Sequence, residues 1–497
     1  MATTIITIDN FQEGLSGWTP ESPHQLYAIV DMGSNGIRFT ITDLSPPFTR
    51  LLRCIYRERA GISLFDALSS SAEDGPSSDL KFPTETITLV SETLARFRRI
   101  ADGYSIETLF GAVMGSRSSF VHVNRGGLFL DLGGGSVQMT WVDSKLPEYE
   151  IKAALAGVSM PFGAARLIRV LEGDADVATA ETKKLRDGMR QSFESLRDRF
   201  PSLREGLESD EGIDVYLCGG GFRGYGSMLM HNDPVQPYPI PSVGAYTVRG
   251  DVFRQTKRMR EVNEEFGGKV FGMSKRRRKQ FPAILEVLEA FVAVVPSIRT
   301  ATFCTGSNRD GALLMKLPRD VRESDPLAAL ANRIWFRLGE DVYSNAAYAL
   351  HEAVTRDPKA PGLTHLARAA LGLTVAGRWG YSLGPIDAEL YTGLRGIMDE
   401  AHEEAGFWAE YIGGVAGVVA TILPYPPQKA EDITNNIRIS STLDTSGKKD
   451  KIRIHFHVPS DTLKGIDVGT IEKAMEEVGK EKGKKCDIKV RAQISAF

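Results

Sequence analysis

The sequence predicts an α/β protein whose core has two lobes of one design, followed by a helical domain and a small α/β unit at the C-terminus. Three observations carry that prediction. A β-rich run ending in a glycine turn, Asp31-Met32-Gly33-Ser34-Asn35-Gly36, recurs later in the chain as Asp131-Leu132-Gly133-Gly134-Gly135-Ser136. From 326 to about 423 apolar residues fall almost wholly at helical spacing. The tail then alternates at 452–458 and 488–494 on either side of a helical stretch at 471–478.

Taken in order, 26–30 is an apolar strand and 37–44 its alternating return strand, so the two read as a hairpin, with a third strand at 51–56. Residues 69–83 are rich in Ser, Asp, Gly and Pro and read as a loop. Ile87, Val90, Leu94 and Phe97 then place an amphipathic helix over 84–100. A second hairpin is expected from 127–131 and 137–142, and helices over 162–207. A strand at 214–218 runs into a third glycine loop, Gly219-Gly220-Gly221. An apolar helix at 281–294, a strand at 300–305 and a helix at 311–317 complete the core. The expected domains are an N-terminal extension 1–25, a first lobe 26–125, a second lobe 126–320, a helical domain 321–427 and an α/β appendage 428–497.

Bulk composition narrows the function classes. The chain has 497 residues, 42% hydrophobic and 25% charged, which is enough apolar material for several cores. A formal net charge of −3 supplies no global field for nucleic acid or an anionic membrane, so neither is expected as a direct partner. Cys54, Cys218, Cys304 and Cys486 follow no C-x-x-C spacing, which suggests neither a disulfide framework nor a zinc site. The first 26 residues lack the charged and apolar regions of a secretory signal, and the apolar stretch 411–423 is short and glycine-rich, so it reads as a buried helix. A cytoplasmic protein is expected.

The chemistry resides in the turns. Backbone N–H groups that converge can hold a phosphate without a basic side chain, and glycine permits both the close approach and positive φ. In each turn an aspartate closes the strand and a serine adds a hydroxyl donor. Two such hairpins facing each other would grip successive phosphates.

Val30-Asp-Met-Gly-Ser-Asn-Gly-Ile-Arg38 and Leu130-Asp-Leu-Gly-Gly-Gly-Ser-Val-Gln138 resemble the phosphate loops of the exopolyphosphatase/guanosine pentaphosphate phosphohydrolase family, and more narrowly its fungal retrograde regulation type. Ile62-Ser-Leu-Phe-Asp-Ala67, Met160-Pro-Phe-Gly-Ala-Ala-Arg-Leu167, Cys218-Gly-Gly-Gly-Phe-Arg223 and Thr305-Gly-Ser-Asn-Arg-Asp-Gly311 support the resemblance. It implies an actin/hexokinase/Hsp70-like (ribonuclease H-like) core that holds or cleaves polyphosphate or guanosine pentaphosphate with Mg²⁺. On that basis Gly33, Ser34, Asn35 and Arg38 form one phosphate grip and Gly133, Gly134, Gly135 and Ser136 the other. Asp31 and Asp131 become metal-side carboxylates, and Gly219, Gly220 and Gly221 the nucleotide side, with ATP a further candidate ligand. The retrograde type also implies a partner, a repressor protein of the mitochondria-to-nucleus pathway.

Three departures restrict the inference. The family's Ser-Gly-x-Glu-Glu segment is missing, and Glu107 is the one carboxylate in a comparable place to act as base; a solvated glutamate at a helix start is the competing reading. Only about two dozen residues separate Ile100 from Gly127, where a βαβ unit needs about 30, so the first lobe reads as truncated. Gln138 stands where hydrolases carry glutamate, and an amide cannot act as a base. Lys275-Arg276-Arg277-Arg278-Lys279 reads equally as a polyphosphate contact, a nuclear-import patch or a solvated segment. His351, His365 and His402 stand alone in sequence and read as structural or surface histidines.

Overall fold

The structure is a computed structural model, and it describes residues 17–33, 36–70, 81–106, 109–112, 126–335, 342–379, 383–423, 436–478 and 488–496. Glu107, Ser34 and Asn35 lie outside the described residues. The chain divides into two compact units. The first comprises 1–233, 242–329 and 357–364, and the second 234–241, 330–356 and 365–497.

The first unit contains two sheets. In one, β1 (Leu26–Gly33) pairs antiparallel with β2 (Gly36–Asp43), β2 with β3 (Arg53–Ala60), and β1 runs parallel to β4 (Leu109–Ala112), giving the order β3-β2-β1-β4. In the other, β5 (Gly127–Leu132), β6 (Val137–Val142), β7 (Val158–Met160), β8 (Ile213–Cys218), β9 (Thr247–Arg249) and β10 (Ile298–Phe303) take the order β7-β6-β5-β8-β10-β9. The first hairpin of each sheet is antiparallel and the next strand runs parallel to its opening strand. The duplication read from the two glycine turns is therefore a duplication of topology. Gln138 lies opposite Asp131 in the β5–β6 register, as Arg38 lies opposite Asp31 in β1–β2.

Alternation along β1 and β2 sends one set of side chains to each face of the first sheet. Ala28, Val30, Ile37, Phe39 and Ile41 pack against Phe97 and Ala101 of the helix Thr84–Gly103, with the Phe39 and Phe97 rings stacked at 4.7 Å. Ile29, Leu44 and Leu52 on the opposite face meet Leu313, Leu314 and Leu317 around the helix Asn308–Lys316. A helix from the far end of the core sequence thus backs β1. The strand read at 51–56 lies at Arg53–Ala60, and the helix read at 84–100 runs to Gly103.

The Gly219-Gly220-Gly221 segment, read as a loop, is the first turn of the helix Gly219–His231. Three glycines oppose helix formation by about 1 kcal/mol each relative to alanine. Packing overrides propensity here: a Cβ on Gly221 would lie 2.5 Å from Leu132 Cγ, and one on Gly226 2.7 Å from the Phe303 ring.

In the second unit, helices Val342–Thr355, His365–Arg378, Pro385–Ala401 and Ala405–Ile422 precede a sheet of β11 (Arg438–Asp444), β12 (Asp450–Val458) and β13 (Ile488–Ala496), ordered β11-β12-β13. Ala405–Ile422 is long and apolar enough to cross a membrane by length and composition, yet Phe407, Val418 and Ile422 lie in one core with Ile452, Ile454 and Phe456 of β12. His365 Nδ1 meets the Tyr238 hydroxyl at 2.8 Å and His351 Nε2 meets Asp387 Oδ1 at 2.8 Å. Both rings are therefore engaged by protein groups.

Candidate anion site at the glycine turns

The second turn is built so that its carbonyls and its N–H groups face opposite ways. Gly133 O accepts from Ala164 N at 3.0 Å, and Gly134 O accepts from Ala165 N at 3.0 Å and Arg166 N at 3.1 Å. These acceptors satisfy the orphan donors at the start of the helix Ala164–Leu171. A trans peptide directs its N–H opposite its C=O, so the N–H groups of Gly134 and Gly135 point away from that helix. Among the described residues no backbone carbonyl accepts from Gly134, Gly135 or Ser136 N–H. Backbone donors left in this way form an anion-binding concavity. Gly163 makes the close approach possible: a Cβ there would sit 2.3 Å from Gly134 C and Ser136 N.

The two aspartates are used differently. Asp31 is 4% exposed, and its Oδ2 accepts from Arg38 Nη1 at 3.2 Å and from Arg309 Nη1 at 3.3 Å. Arg309 is 6% exposed, its Nε has no hydrogen-bond partner among the described residues, and burial lowers its pKa. It reaches Asp31 because its helix backs β1, and Ser307 N and Oγ both donate to Asp310 Oδ2 at 2.7 Å to fix the start of that helix. Asp131 is half-buried, and its carboxylate makes no hydrogen bond or ion pair among the described residues. Burial pushes its pKa up to about 6, against the opposing pull of Arg223 and Arg38 and with a smaller push from Asp31. The carboxylates of the two turns are thus within electrostatic reach of each other.

More arginines gather here than the motifs indicated. Arg59 lies opposite Arg38 in the β2–β3 register and against the first turn, its Nε 2.9 Å from where a Gly36 Cβ would be. Arg223 stands in the first turns of the Gly219 helix with a buried Nε that has no hydrogen-bond partner among the described residues. Arg277 folds across the same helix, its Cδ 2.7 Å from a Cβ position on Gly224 and its Nη2 3.7 Å from one on Gly220. Gly219 has φ +89°, and a Cβ there would lie 2.3 Å from Asp131 Oδ1. The segment assigned to the nucleotide side therefore packs on Asp131 and carries guanidiniums.

The basic cluster Lys275–Lys279 forms a short helix capped by Ser274, and its members separate. Arg276 pairs with Asp66 at 3.4 Å and Lys279 with Glu172 at 3.5 Å, while Arg278 donates to the carbonyls of Gly268, Asn263 and Phe266. Arg277 donates through Nη1 to Gly272 O at 2.7 Å and lays its side chain on the Gly219 helix. Arg59, Arg223 and Arg309 were missed as site residues from sequence, although Arg223 and Arg309 sit inside the quoted motifs Cys218-Gly-Gly-Gly-Phe-Arg223 and Thr305-Gly-Ser-Asn-Arg-Asp-Gly311.

Residues 111–320 match the Ppx/GppA phosphatase family model, and residues 305–496 match the RTG2 C-terminal domain model. The resemblance is to the retrograde-regulation type of the Ppx/GppA family. Retrograde regulation protein 2 of Saccharomyces cerevisiae is 25% identical over 493 residues, covering 80% of this chain and 81% of the yeast protein. Among solved structures, the Aquifex aeolicus Ppx/GppA phosphatase aligns at a TM-score of 0.42 and 13% identity, covering 59% of this chain and 100% of its own. An exopolyphosphatase from Cytophaga hutchinsonii aligns at 0.39 and 17%, covering 58% and 96%.

The Ppx/GppA resemblance implies Mg²⁺ at the two aspartates, and the donor set does not fit that use. Magnesium ordinarily takes one or two carboxylates together with waters and substrate phosphates. Here one oxygen of Asp31 already accepts from two guanidiniums. What the arrangement can do chemically is bind an anion between backbone donors and arginines.

Proposed function

We propose that the chain is a phosphate- or nucleotide-binding regulator in mitochondria-to-nucleus retrograde signalling, in which the two glycine turns hold a phosphorylated ligand without obligatory cleavage. The observation that carries this reading is the double ion pair on Asp31, which commits a metal-side carboxylate of the family to protein arginines. Gln138, opposite Asp131, adds an amide where a base would be needed for turnover. Ligand occupancy would then be read by a repressor protein of the pathway, the partner that the resemblance to the retrograde-regulation type implies.

A second reading, an active phosphohydrolase, is favoured by Asp131, whose carboxylate makes no hydrogen bond among the described residues and has a pKa raised to about 6. Phosphate release by the purified chain from polyphosphate and guanosine pentaphosphate, with and without Mg²⁺, decides between the two. Binding with no release supports the regulator. Sustained release that Asp131→Ala abolishes overturns it in favour of the enzyme.

A further inference from the structure

Charge on a bound phosphate chain has to be neutralised in a partly desolvated site, by a metal or by protein cations. With Asp31 engaged, the site offers five guanidiniums, Arg38, Arg59, Arg223, Arg277 and Arg309, against the carboxylates Asp31 and Asp131. They are close enough to act on one another: the Arg277 pKa is lowered to about 10, chiefly by burial and in smaller measure by Arg223, Arg59 and Arg38. Guanidinium keeps its proton inside proteins, so the ligand-free protein holds a cluster of like charges. Arg223 and Arg309 each carry a buried Nε with no hydrogen-bond partner among the described residues, donors that an anion can take up.

We propose that Arg223 and Arg277 form a second-lobe anion subsite that takes the place of the metal ion, so that a linear chain of three or more phosphates is gripped without Mg²⁺. This rests on the anion-binding reading above and goes beyond it in naming the cations and the independence from metal. Arg38 and Arg309 hold the Asp31 side, the N–H groups of Gly134, Gly135 and Ser136 supply neutral donors, and the Arg223–Arg277 pair meets the chain over the Gly219 helix. Guanidinium suits this role because its fixed fork matches phosphate oxygens and it stays charged when buried. Such a chain occurs free, as inorganic polyphosphate, or as the tail of a nucleoside triphosphate.

The test is calorimetric titration of the full chain with sodium tripolyphosphate and with ATP, once in EDTA and once in excess Mg²⁺. The expected result is that affinity in EDTA equals or exceeds that in Mg²⁺, which also competes for the ligand's oxygens. Arg277→Gln should weaken binding in EDTA about tenfold to a hundredfold, the effect of losing charged hydrogen bonds. Lys279→Gln, which removes the same charge from the same cluster, should change it less than about threefold. Binding that requires Mg²⁺ overturns the proposal while leaving the anion-binding function standing, and that comparison uses the wild-type chain alone. Equal losses in the two variants overturn it as well. No binding of either ligand under either condition defeats the function reading itself. Tighter binding of ATP than of tripolyphosphate assigns the nucleoside source, and the reverse assigns the inorganic chain.

Discussion

The two sheets of the first unit begin alike and part company at their aspartates. In the first, Asp31 is buried under two arginines, one of them delivered by a helix 278 residues further along the chain. In the second, Asp131 has no such partner, and the turn beyond it is instead braced by the backbone at Gly163 and the helix that follows. One turn is stabilised by charge and the other by peptide geometry. The lesson is that a duplicated hairpin does not duplicate its chemistry, because each copy meets different neighbours.

The sharpest way to break the contrast is to remove the buried cation of the first turn. Arg309→Ala leaves Asp31 buried with Arg38 alone, and should cost about 3–5 kcal/mol in urea unfolding. Asp31→Asn combined with Arg309→Met, which removes both charges, should recover most of that loss. Next comes the brace of the second turn. Gly163→Ala forces a Cβ onto the backbone of Gly134 and Ser136 and should cost about 1–3 kcal/mol by the same measurement.

Asp131 should respond in the opposite sense. Its pKa is raised to about 6 from 3.8, so the folded state binds a proton more readily than the unfolded one. The stabilisation is complete below about 4 and disappears as pH rises through about 6. Asp131→Asn should therefore raise the melting temperature at pH 7.5 relative to wild type, with the difference closing below pH 4; a variant that melts lower at pH 7.5 contradicts this account. The smallest effect belongs to Asp66, which lies 2.5 Å from Arg169 and 3.4 Å from Arg276 at the exposed surface. Asp66→Ala should change stability by less than about 1 kcal/mol and lose even that in high salt.

Sequence patterning made the two hairpins, the helix covering Phe97 and the helical run before the tail legible, since each depends on local periodicity. It failed at Gly219-Gly220-Gly221, where local propensity argues for a loop and close packing of Gly219 and Gly221 on Leu132 favours a helix. In the site, the aspartates and glycines were visible because they are adjacent in sequence. Arg59, Arg223 and Arg309 were not, since they come from three separate elements and only packing brings them together, while Arg277 was legible only as one of a basic run of five. Metal-side use of Asp31 followed from the motif alone, and nothing local in the sequence signals that Arg309 will reach it.

The hydrogen bonds from Ala164, Ala165 and Arg166 onto the carbonyls of Gly133 and Gly134 put the second turn in electrical series with a helix. Each such bond polarises the peptide that receives it and strengthens the N–H at its other end. A ligand drawing on Gly134 and Gly135 would tighten the opposite bonds in return, so occupancy should be audible at a distance, as slower amide exchange of Ala165 and Arg166 on the far side of the turn.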